Sequence, residues 1–180
     1  MEIVGIAAMS LDGFITKHDE EGVAFTSAAD KKFFREALTA FDCCIFGSKT
    51  FLADKIGILR NLTPERLRIV LTRTPEKYAA YQHPDRLEFT SDSPEDIVAD
   101  LQKRKKTRCA VLGGGELYTL FLAKNLLDEL WLTIEPKMFG DGKKFVTKRM
   151  DIDVLLKEIR KLSENTILLK YTIERKIRNP

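Results

Sequence analysis

The sequence predicts an open α/β domain, with a mostly parallel central sheet flanked by helices and a C-terminal antiparallel hairpin. Three observations predict it. Apolar runs bounded by turn residues recur at residues 3–9, 42–46, 67–71, 87–89, 108–112 and 130–134, and several are unbroken, as in strands covered on both faces. Helix-period patterns lie between some of these runs. From residue 155 to 175 the pattern changes to two polar-apolar segments around Ser163, Glu164 and Asn165, which reads as a hairpin on an antiparallel edge.

The first run, opening Met-Glu-Ile-Val, carries an acid where a secretory leader has a basic region, so it reads as a strand. The first helix is expected at 28–41, with Phe34, Ala37, Leu38 and Phe41 on one stripe. A second is expected at 94–105, where Ser93, Pro94 and Asp96 form a capped start with proline in the position that needs no N–H. A third covers 116–127. No internal repeat or long linker divides the chain, so one domain is expected.

The chain has 180 residues and a mass of 20.6 kDa, with 44% hydrophobic and 32% charged residues, enough for one full core. A net charge of +3 and a pI near 8.7 do not announce a nucleic-acid or membrane partner but suit an anionic small ligand. The basic run at 103–108 reads as a solvated helix end favoured by the macrodipole. Cys43 and Cys44 should point to opposite faces of one strand, with Cys109 in another. Together with two histidines, His18 and His83, they offer no metal spacing. Buried structural thiols in a reducing, cytoplasmic setting are expected. No apolar stretch approaches the ~20 residues of a membrane helix.

The most informative segment runs from Ala110 to Tyr118, where a strand ends in Gly113, Gly114 and Gly115 and enters an apolar helix through Glu116 and Leu117. Glycines let a ligand approach the backbone, and a helix start offers free N–H groups to a phosphate, although a tight turn alone would also use them. The pattern is neither a Rossmann fingerprint nor a Walker loop. Gly47, Ser48, Lys49 and Thr50 follow another strand, and Leu71, Thr72 and Arg73 close a third. Ligands bind at such C-terminal strand ends.

Together with Ser10, Leu11, Asp12 and Gly13, residues 128–134, and Gly140, Asp141 and Gly142, these motifs keep the order seen in dihydrofolate reductase-like proteins. The chain resembles most the subgroup named for the C-terminal reductase domain of the bacterial riboflavin-biosynthesis deaminase-reductase. The resemblance spans nearly the whole chain. It implies a reductase using NADPH, with Gly113, Gly114 and Gly115, continuing into Glu116 and Leu117, along the dinucleotide. It also implies Gly47, Ser48, Lys49 and Thr50 at phosphate, and Leu71, Thr72 and Arg73 beside the adenosine 2′-phosphate. Many relatives have arginine at the position of Ser48; Arg73 is available to compensate.

The same resemblance places a heterocyclic, pyrimidine- or pterin-like substrate beside Asp12 and Asp30, with Asp30 a candidate proton donor. Two plainer readings stay open: Ser27 and Asp30 have capping-pair spacing, and Asp12-Gly13 suits a turn. A ribose phosphate on the substrate would call for a basic cluster, for which Lys55, Arg60, Arg66 and Arg68 are available, as they equally are for solvation. A homodimer is implied, with the terminal hairpin a contributor because a long strand edge needs covering. Dihydrofolate reductase proper, or a catalytically silent nucleotide-binding protein, are the competing readings.

Overall fold

A computed structural model of the chain describes residues 1–174. Eight strands form one sheet: β1 Glu2–Ser10, β2 Cys43–Gly47, β3 Leu67–Leu71, β4 Leu87–Thr90, β5 Arg108–Val111, β6 Glu129–Glu135, β7 Val154–Lys161 and β8 Ile167–Ile173. Their order is β4-β3-β2-β5-β1-β6-β8-β7. All pairings from β4 through β6 are parallel, and β8 and β7 add antiparallel to β6. The expected hairpin is thus present, and its expected last residue, Arg175, lies outside the described residues.

Five α-helices connect the strands: α1 Ala28–Leu38, α2 Ser48–Ala53, α3 Lys55–Arg60, α4 Pro94–Lys103 and α5 Gly115–Ala123. Side chains alternate along each strand, so the parallel sheet has two cores. Ile3, Cys43, Ile45, Ile69, Cys109 and Val111 face α4 and α5. Val4, Ile6, Cys44, Phe46, Val70 and Trp131 face α1, α2 and α3. Cys43 and Cys44 do point to opposite faces, and all three thiols are free and buried. Burial pushes the Cys44 thiol up to about 12, so it is an inert packing group.

The helix boundaries differ from expectation at their C-termini. α1 stops at Leu38 because tight turns, from Ala40 N–H to Ala37 O and from Phe41 N–H to Leu38 O, close its last residues. α5 stops at Ala123, and Asn125 follows with φ +53°. The sequence pattern predicts neither α2 nor α3, each six residues long, nor the 3-10 turn at Pro75–Tyr81. α4 begins as its cap requires, with Ser93 Oγ accepting Asp96 N–H at 3.1 Å. No helix among the described residues is long and apolar enough to cross a membrane.

Candidate active site

Parallel strands bring all their C-terminal ends to one edge, and β3, β2, β5, β1 and β6 are consecutive neighbours there. The three motifs of the sequence therefore lie side by side. Gly47 pairs with Leu71 across β2 and β3, and Gly47 N–H donates to Gly113 O at 2.9 Å. The glycine turn takes a form only glycine adopts easily, with φ +112° at Gly113.

The three glycines do different work. A Cβ at Gly114 would meet nothing within 4 Å, so this position opens a cradle at the start of α5. A Cβ at Gly115 would lie 2.3 Å from Lys144 O and 3.0 Å from Thr147 Cγ2, so that glycine is required by the segment packed on it. Leu117 is a core side chain whose N–H returns to Gly114 O at 2.9 Å. At the start of α5, open space is thus left at Gly114, beside the unpaired amides that any helix start presents. Glu116 is exposed beside them. Tyr118 reaches from α5 to donate its hydroxyl to Ile6 O, locking the helix onto β1.

Ser48 opens α2, with Lys49 exposed and Thr50 half-buried in its first turn. Thr72 is buried, and its hydroxyl accepts Thr74 N–H at 3.4 Å, so it shapes the turn that presents exposed Arg73. Two of the basic residues considered for a phosphate lie elsewhere. Arg66 and Arg68 sit at the opposite, N-terminal end of β3, and Arg66 Nε donates to Phe41 O at 3.2 Å. Buried Arg68 spends its guanidinium on Arg66 O at 3.0 Å and Asn61 O at 2.6 Å. They hold chain segments together, not a ligand. Lys55 leans over the Tyr81 ring, 5.1 Å from its centroid.

Asp30 lies in the first turn of α1, 7% exposed. Burial raises its carboxyl above the ordinary aspartate range, opposed by the hydroxyls of Thr133 and Thr26 and reinforced by the charge of Glu135. Ser27 caps the helix, its Oγ accepting Asp30 N–H at 3.2 Å. The return bond of a capping box is absent from this pair: Ser27 N–H donates to Glu135 Oε1 at 2.8 Å. The Asp30 carboxyl lies instead beside the hydroxyls of Thr133 and Thr26. Beside it, Thr26 Oγ1 is the one buried side-chain polar atom without a hydrogen-bond partner among the described residues. A buried orphan hydroxyl next to a buried acid calls for an explanation, and the polar edge of a ligand would supply one.

Asp12 has a different place. Its carboxylate accepts the Ser10 hydroxyl, Phe139 N–H at 3.0 Å and Gly140 N–H at 2.7 Å. These donors, led by Ser10, hold it below the usual carboxylate range. It ties the turn after β1 to the loop after β6. Its bonds place it as a support of the cleft.

Sequence reasoning missed Thr26, Thr133 and Glu135. β6 pairs with β1 through Ala8 with Thr133 and Ser10 with Glu135, so Trp131, Thr133 and Glu135 alternate onto the face beneath α1. Only the two-residue spacing of hydroxyl and acid at the end of an apolar strand signals them. β5 and β6 are separated by β1 alone, so the strand leading to the glycine turn and the strand carrying Thr133 and Glu135 run about 10 Å apart.

A parallel sheet with this strand order, a glycine turn after β5 and a buried acid at the start of α1 defines a dihydrofolate reductase-like α/β protein. Residues 3–168 match the family model described as RibD C-terminal domain, and the chain belongs to that family. It is 26% identical over 171 residues to the uncharacterised protein YyaP of Bacillus subtilis (strain 168), covering 91% of this chain and 90% of that one. The uncharacterised protein YwjB of the same organism is 25% identical over 140 residues, covering 75% and 76%.

Two solved structures share the fold. The pyrimidine reductase-like protein of Corynebacterium diphtheriae superposes with a TM-score of 0.74 at 16% identity, covering 97% of this chain and 92% of that chain. The diaminohydroxyphosphoribosylaminopyrimidine deaminase/5-amino-6-(5-phosphoribosylamino)uracil reductase of Thermotoga maritima gives 0.77 at 18% identity, over 96% of this chain and 56% of that one.

Proposed function

We propose that this protein is a cytoplasmic oxidoreductase that uses NADPH to reduce a heterocyclic, pyrimidine-like substrate, of the ribosylamino-pyrimidine kind. The observation that carries the reading is the pairing, across the single strand β1, of an open glycine cradle at Gly114 with the buried Asp30 and Thr26 pocket. Membership of the RibD C-terminal domain family supports it.

The cradle suits a dinucleotide. Gly114 leaves room for close approach, the start of α5 offers amides, and Lys49 and Arg73 are exposed cations on the neighbouring strand ends. When bound, the reduced nicotinamide would supply the hydride. The chain's own residues align and protonate. Asp30, whose carboxyl burial raises above the ordinary aspartate range, would give a proton to the substrate atom that gains negative charge, directly or through one water, and would recover it from solvent. Thr26 Oγ1 and the Asp30 carboxyl would hold the ring's polar edge. Leu52 and Ile56, exposed on α2 and α3, would wall the cleft with apolar surface. Asp12 would keep its floor in place.

The acid-plus-hydroxyl edge would also take the amino-substituted edge of a pterin, so dihydrofolate is the second substrate class. Oxidation of NADPH, followed at 340 nm with dihydrofolate and with a 5-amino-6-ribosylamino-pyrimidine, separates them. Turnover of the second alone supports the leading reading, and turnover of dihydrofolate alone replaces it. Dinucleotide binding without turnover of either would favour a silent nucleotide-binding protein.

A further inference from the structure

We infer that Glu135 is a positioning residue for the acid at the start of α1: it takes over the capping bond that would otherwise engage Asp30 and sets a second buried carboxyl beside it. The inference rests on the reading of Asp30 as the proton donor and extends it to a residue that does not touch substrate.

Geometry is the first argument. Glu135 ends β6, only 1% exposed, and is among the largest fully buried side chains of the protein. Its Oε1 accepts Ser27 N–H at 2.8 Å and its Oε2 accepts the Thr166 hydroxyl at 3.3 Å. Ser27 and Thr166 are themselves in contact, Oγ to Oγ1, at 3.4 Å. One carboxylate therefore joins β6, the cap of α1 and the residue preceding β8. In a capping box the third helical residue supplies this bond. That residue is Asp30, and with the position filled its carboxyl lies beside the hydroxyls of Thr133 and Thr26 instead.

Charge is the second argument. Neither Asp30 nor Glu135 has an ion-pair partner among the described residues. Of the charged groups on the surrounding elements, Lys31 on α1 is exposed and exerts the smallest of the influences on Asp30. On the hairpin, Arg160 and Lys170 pair with Glu158 at 3.4 and 2.8 Å and lie over the rings of Phe33 and Trp131. Two buried acids with no cation between them do not both ionise cheaply. Glu135 has an amide and a hydroxyl donating to it, whereas Asp30 is raised by burial and by Glu135 itself. Of the two, Asp30 is the one whose carboxyl is pushed towards holding its proton.

The test is a carboxyl 13C NMR titration of the ligand-free full chain labelled at aspartate Cγ, with the Asp30 resonance assigned by its loss in Asp30→Asn. In the wild type Asp30 should titrate above the ordinary aspartate value, and in Glu135→Gln its midpoint should fall measurably towards that value. Glutamine keeps an oxygen for Ser27 N–H and an amide for the Thr166 hydroxyl, so the fold is retained, as circular dichroism should show. Glu135→Asp, which keeps the charge, should leave Asp30 raised. An unmoved Asp30 midpoint in a folded Glu135→Gln protein overturns the inference. So does a Glu135→Gln chain that fails to fold while Glu135→Asp folds, because the role would then be structural. Since no cofactor is added, the outcome is independent of whether NADPH binds, and the reductase reading stands or falls separately.

Discussion

Glu135 Oε1 accepts the backbone N–H of Ser27 at 2.8 Å, the bond that Asp30 would make in a capping box. The separation of the two acids' tasks has a consequence for stability. Because the folded state raises Asp30, the native protein holds its proton longer than the unfolded chain, whose aspartates titrate near 3.9. The contribution of Asp30 is complete below that value and is lost as pH rises through the folded value. Asp30→Asn should therefore gain thermal stability relative to the wild type as pH increases from about 4 towards 8. Thermal melts across that range check this, and a difference in Tm independent of pH would refute it.

Gly114 and Gly115 should separate binding from packing. Gly115→Ala places a methyl 2.3 Å from Lys144 O and should cost about 1–3 kcal/mol in urea denaturation. Gly114→Ala has open space and φ −80°, so stability should barely change while NADPH affinity falls about tenfold or more. Equal effects of the two changes on stability would contradict the assignment.

Asp12 should matter to a loop more than to chemistry. In Asp12→Ala the amides of Phe139 and Gly140 lose their acceptor, and their hydrogen exchange should speed up while the rest of the sheet stays protected. The lowered carboxyl makes the tie effective above the ordinary aspartate value and weaker as pH falls through its folded value. Exchange at those two amides, corrected for intrinsic rates, should rise in acid. Unchanged exchange in the variant would return Asp12 to the list of substrate ligands.

The outer strand β7 exposes Val154, Leu155, Leu156 and Ile159 along an edge with no neighbouring strand among the described residues. We expect two copies to meet there, since such an edge otherwise invites indiscriminate pairing. Light scattering at micromolar concentration should give twice the chain mass, and Ile159→Lys should give a monomer. A monomeric wild type would remove the dimer from the account.

The strands were legible because apolar runs and turn residues mark them whatever surrounds them, and the hairpin because its alternation is local. α2 and α3 were not, since six residues give too few turns for a helical period to register. The glycine edge was legible for a similar reason: Gly47 and Leu71 end their strands and Gly113 follows its own, and parallel pairing does the rest. The surroundings of Asp30 were only half legible. Asp30 stands out at a helix start, but Glu135 and Thr133 approach it through the pairing of β6 with β1, and Thr26 precedes the cap. Likewise Arg66 and Arg68 look available in sequence, while strand direction sends them to the far end of β3.

The central claim is a dinucleotide at the glycine edge, and titration of the purified chain with NADPH and with NADH, followed by reduced-nicotinamide fluorescence, tests it most directly. The account predicts micromolar NADPH binding, abolished by Gly114→Asp and weakened by Arg73→Ala for NADPH but not for NADH. Absence of binding to either dinucleotide would contradict the reductase reading.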